Sequence, residues 1–184
     1  MTTIISAFIN IQTNKNRNLE QYQEYGIKLL KLDVNKIIFI DKTIFHLFEE
    51  YQNNNTIFIK TSIEELYLYK YKETVKKLNI NTCNPTKDCF EYFVIQCNKT
   101  EWMREGIIKN PFFTKQFMWI DFGIHHVLSN ELNANMKCFN KNYDSIRIPN
   151  IWNLDDNYNY DYKKDIQWYF AGGVFGGDIK SLLI

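Results

Sequence analysis

Residues 117–123 read Phe117-Met118-Trp119-Ile120-Asp121-Phe122-Gly123. An unbroken apolar run of this length is the pattern of a strand buried on both faces, as in a parallel sheet. It ends on a carboxylate and a glycine, so the acid stands where the strand leaves the sheet. The same form occurs upstream as Lys36-Ile37-Ile38-Phe39-Ile40-Asp41. Thr56-Ile57-Phe58-Ile59-Lys60 and the β-branched run over residues 3–11 are read as further strands.

Between these strands the period changes. Leu19, Tyr22, Tyr25, Leu29 and Leu32 recur at helical spacing, and Ile44 to Tyr51 suit a short helix. Ser62 followed by Glu65 is a capping box that predicts a helix to about Leu78. A long helix is predicted from about Asp88 to Lys109, closed by Asn110-Pro111. Ser145–Pro149 and Ile166–Phe170 are read as late strands, the second running into Ala171-Gly172-Gly173-Val174-Phe175-Gly176-Gly177-Asp178. Alternation of this kind predicts an α/β domain over residues 1–184, with a mostly parallel central sheet and helices on both faces. Ligands of such sheets bind beyond the carboxyl ends of the strands, where Asp41, Asp121 and the glycine run are expected.

Composition narrows the function classes. Lys and Arg number 22 against 21 Asp and Glu, a net charge of +1, with no clustered basic face in the sequence. That balance disfavours nucleic acid as a partner. The abundance of Asn, Lys, Ile and Tyr, with Arg only at Arg17, Arg104 and Arg147, fits an AT-rich genome such as that of a giant virus, a protist or a low-GC bacterium. The four cysteines lack zinc-type pairing and are expected to be free thiols. The apolar N-terminal run is too short for a membrane span. The expected location is the cytoplasm of a bacterium or of a virus-infected host cell.

Several residues could carry chemistry. Asp121 has the hard oxygens that hold a divalent cation beside a diphosphate, and it could equally accept hydrogen bonds from a ribose or cap the next turn. His125 follows one helical turn later, where it could share that metal or simply pack. Gly172, Gly173 and Gly176 permit close approach of backbone to a sugar or phosphate, or form a bulge and turn. Lys99, Arg104 and Arg17 are candidate partners of a diphosphate. Asp178 could act as general base on an acceptor hydroxyl, or cap a final helix. Placed at the end of the chain, the glycine run does not suit a dinucleotide loop, which follows a first strand.

Taken together these stretches resemble the HtrL/YibB family, also described as WlaTC/HtrL-type glycosyltransferases. The resemblance runs from Thr3-Ile4-Ile5-Ser6-Ala7-Phe8-Ile9, with Arg17 and Tyr22, through Glu91-Tyr92-Phe93, Asn98-Lys99 and Asn110-Pro111-Phe112. Its most specific parts are Trp119-Ile120-Asp121-Phe122-Gly123-Ile124 and Ala171 to Gly177. It implies a GT-A-like fold and transfer of a sugar from a nucleotide-sugar donor to a hydroxyl acceptor, a glycan or polysaccharide, with manganese or magnesium as the expected cation. It implies that Asp121 makes a metal or ribose contact, that Lys99 faces the donor, and that Gly172, Gly173 and Gly176 line the sugar or acceptor side.

The sequence departs from that pattern twice. GT-A enzymes commonly carry Asp-x-Asp at this strand end, and here Gly123 holds the third position. Little chain follows Asp178, so a frame truncated at its C-terminus, one domain of a larger protein and a minimal form all fit. These departures motivate a second expectation, a catalytically inactive GT-A-like binding module.

Overall fold

The computed structural model describes residues 1–11, 18–75, 89–127, 141–151 and 170–183. Strands β1 (Thr2–Phe8), β2 (Asn35–Asp41), β3 (Thr56–Thr61), β4 (Gln116–Ile120) and β5 (Val174–Asp178) form one sheet in the order β3-β2-β1-β4-β5. The first four run parallel, and β5 pairs antiparallel with β4. The mostly parallel α/β architecture expected from the alternating pattern is the one observed.

Helices α1 (Leu19–Leu30), α2 (Lys72–Val75), α3 (Phe90–Cys97), α4 (Lys99–Lys109) and α5 (Ile179–Leu182) complete the described chain, with short 3-10 turns between. Alternate strand residues divide between two cores. Ile4, Phe8, Ile38, Ile40 and Ile120 meet Leu29 and Leu30 of α1. Ile5, Ile37, Phe39, Phe117 and Trp119 meet Trp102, Met103 and Ile107 of α4. Both faces are therefore covered, which is why the strands read as continuous apolar runs. No helix among the described residues is long and apolar enough to cross a membrane.

Local chemistry sets the helix ends. Asn18 caps α1 by accepting from Gln21 N at 2.9 Å, while Gln21 Oε1 accepts from Asn18 N at 3.2 Å. Beyond its far end, Lys36 donates from Nζ to the carbonyls of Leu32 and Val34. Helix α4 stops at Asn110, which takes the left-handed conformation (φ 32°) and exchanges two hydrogen bonds with Thr114. Gly106 lets α4 lie against the sheet, because a Cβ there would collide with the Ile5 side chain.

Four sequence expectations change in detail. The helix foreseen from Ser62 keeps its capping box but is broken into 3-10 turns followed by the short helix α2, because Leu66 is extended (φ −68°, ψ 137°) and drops into the second core. The long helix foreseen over residues 88–109 is divided at Asn98, whose ψ of −4° turns the chain between α3 and α4. Ser145–Pro149 contributes one bridge, Arg147 to Gly176, in place of a strand. The second part of the glycine run, Val174–Asp178, is itself the strand β5, and Gly172–Gly173 form the turn before it. Most of the Ile166–Phe170 strand lies outside the described residues, as do Arg17 and the tyrosines between Tyr158 and Tyr162.

Candidate functional site

Three distant segments meet at the carboxyl end of β4. The register of β5 on β4, with Val174 opposite Ile120, brings the turn before β5 beside Asp121. Asp121 N donates to the Gly173 carbonyl at 2.9 Å. Lys99, the first residue of α4, reaches across the sheet end. Its Nζ lies 2.8 Å from Asp121 Oδ1 and donates to the Gly172 carbonyl at 3.0 Å.

Trp119 holds the carboxylate from below. Two residues before Asp121, it points to the same side of the strand, and its Nε1 donates to Asp121 Oδ1 at 2.7 Å. The indole is itself clamped in a stack, 5.8 Å from Trp102 and 6.2 Å from Phe175 between ring centres. The Lys99 ammonium lies 5.7 Å from the Trp119 ring centre. The sequence analysis assigns Trp119 no role of its own, although its i, i+2 spacing from Asp121 is the signal that places both on one side of the strand.

Exposure differs within the ion pair. The Lys99 side chain is 9% exposed and that of Asp121 is 35% exposed. The cation is therefore inside and the carboxylate at the mouth. Oδ1 is occupied by two donors, and Oδ2 lies on the Gly173 side, 3.4 Å from where a Cβ on Gly173 would sit. Gly172 is exposed and has open space where a side chain would be.

The structure brings Lys99, Asp121, Gly172 and Gly173 together, and it places Gly176 and Asp178 further along β4, opposite Met118 and Gln116. Asp178 pairs with Gln116 at the opposite end of β4, roughly 16 Å of strand from Asp121. Its carboxylate accepts from Ser181 N at 2.7 Å, capping α5, and that bond holds its pKa below the usual carboxylate value. The expectation of Asp178 as a base at this cluster is corrected accordingly. Gly176 is buried, and a Cβ there would strike the Phe117 carbonyl and Met118, so this glycine permits the close packing of β5 on β4.

Among the described residues no hydrogen bond or ion pair links His125 to Asp121, and the charge acting on His125 is that of Lys28 of α1. Burial, and then that charge, lower its pKa. Its Nε2 is buried without a hydrogen-bond partner. No group of three or more His, Cys, Asp and Glu side chains converges among the described residues. With Oδ1 of Asp121 already taken by an ammonium and an indole N–H, Oδ2 is the oxygen of this carboxylate left for a ligand. Asp41, the other strand-end acid, is also spoken for. It accepts from Thr43 N, Thr43 Oγ1 and Asn10 N, tying the ends of β1 and β2.

A cavity of about 370 Å³ opens elsewhere, between the first half of β4, β5 and residues 141–149. Its lining stops at Met118 and Val174 and does not reach Asp121. Over it, residues 143–147 are pinned by reciprocal bonds between Gln116 and Tyr143 and by the backbone pair of Arg147 with Gly176.

A family model described as "Bacterial protein of unknown function (HtrL_YibB)" matches residues 1–182. The chain belongs to the HtrL_YibB family. The matched span contains β1, α4, β4 and β5 of this chain. No curated protein matches the chain. Among solved structures, 4-diphosphocytidyl-2C-methyl-D-erythritolsynthase from Anaerococcus prevotii is similar at 13% identity and a TM-score of 0.45, covering 97% of this chain and 70% of that one. Mouse xyloside xylosyltransferase 1, in its apo form, is similar at 11% identity and a TM-score of 0.47, covering 98% and 68%.

Proposed function

We propose that this HtrL_YibB protein is a glycosyltransferase of GT-A type that moves a sugar from a nucleotide-sugar donor to a hydroxyl acceptor. The donor would lie over Asp121, Gly172 and Gly173. In the reaction the bond from the anomeric carbon to the diphosphate oxygen breaks, a bond to the acceptor oxygen forms, and the acceptor hydroxyl loses its proton. Asp121 Oδ2 is suited to accept hydrogen bonds from ribose or sugar hydroxyls, and the side-chain-free turn at Gly172 and Gly173 leaves room for a ring to approach. Arg17 remains the proposed diphosphate contact from the β1–α1 connection.

One observation carries the reading. A lysine begins α4, where the helix dipole favours a carboxylate, and its charge is almost wholly removed from water. Such a local conflict is a cost to folding that stability alone does not explain, and conflicts of this kind concentrate at functional sites. Here it serves to fix one carboxylate at the carboxyl end of a parallel strand, the position where ligands of α/β sheets bind.

Calorimetry with UDP-, GDP- and TDP-linked sugars tests this. Binding of one nucleotide class, weakened at least about tenfold (1.4 kcal/mol) in Asp121→Ala, is expected, with sugar release to water or acceptor. Binding without any release would instead assign an inactive binding module. Failure to bind any of the nucleotides would refute both readings.

A further inference from the structure

The cluster at the end of β4 contains its own cation. The ammonium of Lys99 sits 2.8 Å from Asp121 Oδ1 and is fixed there by a second bond, to the Gly172 carbonyl at 3.0 Å. The Trp119 indole N–H donates to the same oxygen at 2.7 Å. Two donors therefore occupy Oδ1, in a direction set by a clamped indole and a buried lysine.

A magnesium or manganese ion at this carboxylate would need several oxygen ligands in near-octahedral array. Asp121 has one oxygen, Oδ2, outside the pair, and it belongs to no group of three or more His, Cys, Asp and Glu side chains among the described residues. A divalent ion on Oδ2 would also share the carboxylate with a fixed positive charge. The N-terminal end of α4, which begins at Lys99, adds the positive end of the helix dipole at the same place. Both effects weaken cation binding, while a neutral hydroxyl donor is unaffected by them.

We propose that Lys99 occupies the place of a divalent cation at Asp121, so that ligand binding at this cluster is independent of divalent metal. The identity of the ligand rests on the reading given under Proposed function. The exclusion of metal is a property of the cluster itself and does not depend on that reading. Lys99 acts here as a positioning residue, orienting Oδ2 toward a hydroxyl.

The test is a manganese titration of the full chain without nucleotide, following the electron paramagnetic resonance signal of the free ion. Wild type and Asp121→Asn should bind manganese identically. A site present in wild type and lost in Asp121→Asn would overturn the proposal. Lys99→Gln should gain affinity by at least about tenfold, and Lys99→Gln/Asp121→Asn should lose that gain. No gain in a folded Lys99→Gln would remove Lys99 from the explanation. A second arm measures UDP binding by calorimetry in manganese and in EDTA. Equal affinities are expected, and dependence on manganese overturns the proposal. If UDP binds in neither, the nucleotide reading fails while the manganese titration still decides the question of metal exclusion.

Discussion

Replacing Asp121 by alanine should destabilise the fold more than replacing its partner Lys99 by methionine, and the structure says by how much. In Asp121→Ala the buried Lys99 ammonium keeps only the Gly172 carbonyl, and the buried Trp119 N–H loses its acceptor. Breaking a buried pair so that a charge is left behind costs about 3–5 kcal/mol. Some water can follow once the carboxylate is gone, which places the expected loss near the lower end, about 3 kcal/mol. In Lys99→Met the group left behind is a carboxylate that is already 35% exposed and keeps the indole bond. Solvent screening then limits the cost to about 1–2 kcal/mol. The double variant, Lys99→Met/Asp121→Ala, should be more stable than Asp121→Ala alone, because the uncompensated charge is gone. Urea unfolding followed by circular dichroism, with m-values checked for equality, measures all four proteins. If Lys99→Met were the more damaging single change, or the double variant the least stable of the set, the assignment of the buried charge would be wrong.

Three further outcomes follow from other sites. His125 has its pKa lowered below 6.5 by burial and Lys28, so the unfolded chain takes up a proton that the folded chain resists. Stability should fall as pH drops below 6.5, and in His125→Gln this part of the pH dependence of the melting temperature should disappear. Lys36, fully buried, has its pKa lowered from 10.5 to about 8 by burial. Between these values the unfolded state binds more protons, so wild type should gain stability relative to Lys36→Met as pH rises from 8 to 10.5, by up to about 1.4 kcal/mol per pH unit. Phe113 is 91% exposed and held at φ 52°, a conformation that penalises a side chain. Phe113→Gly should therefore raise stability by about 1 kcal/mol in urea titrations, and a loss would show that its ring or chain stiffness contributes more than the strain removes.

The apolar runs of β1, β2, β3 and β4, their parallel sense and the two covered faces were legible in the order of residues. Burial on both faces demands continuous hydrophobic strands, and the helical spacing around Leu29 and Ile107 supplies the covers. Asp121 was also legible as a strand-end acid, because a carboxylate closing such a run must lie at the sheet rim. The partners of that acid were another matter. The adjacent His125 could be a metal partner or a packing residue by helical spacing, and the sequence does not show that burial and the charge of Lys28 of α1 act on it. Asp178 looked like a base by chemistry, yet the antiparallel pairing of β5 carries it to the far end of β4. Neither strand direction nor register is encoded in a glycine run, since glycine has no side chain to show a face. Only the packed chain decided that residues 99, 121 and 172 would meet, that the lysine would be the buried member, and that Trp119 would hold the carboxylate. Those facts depend on contacts between residues far apart in sequence, which local pattern does not record.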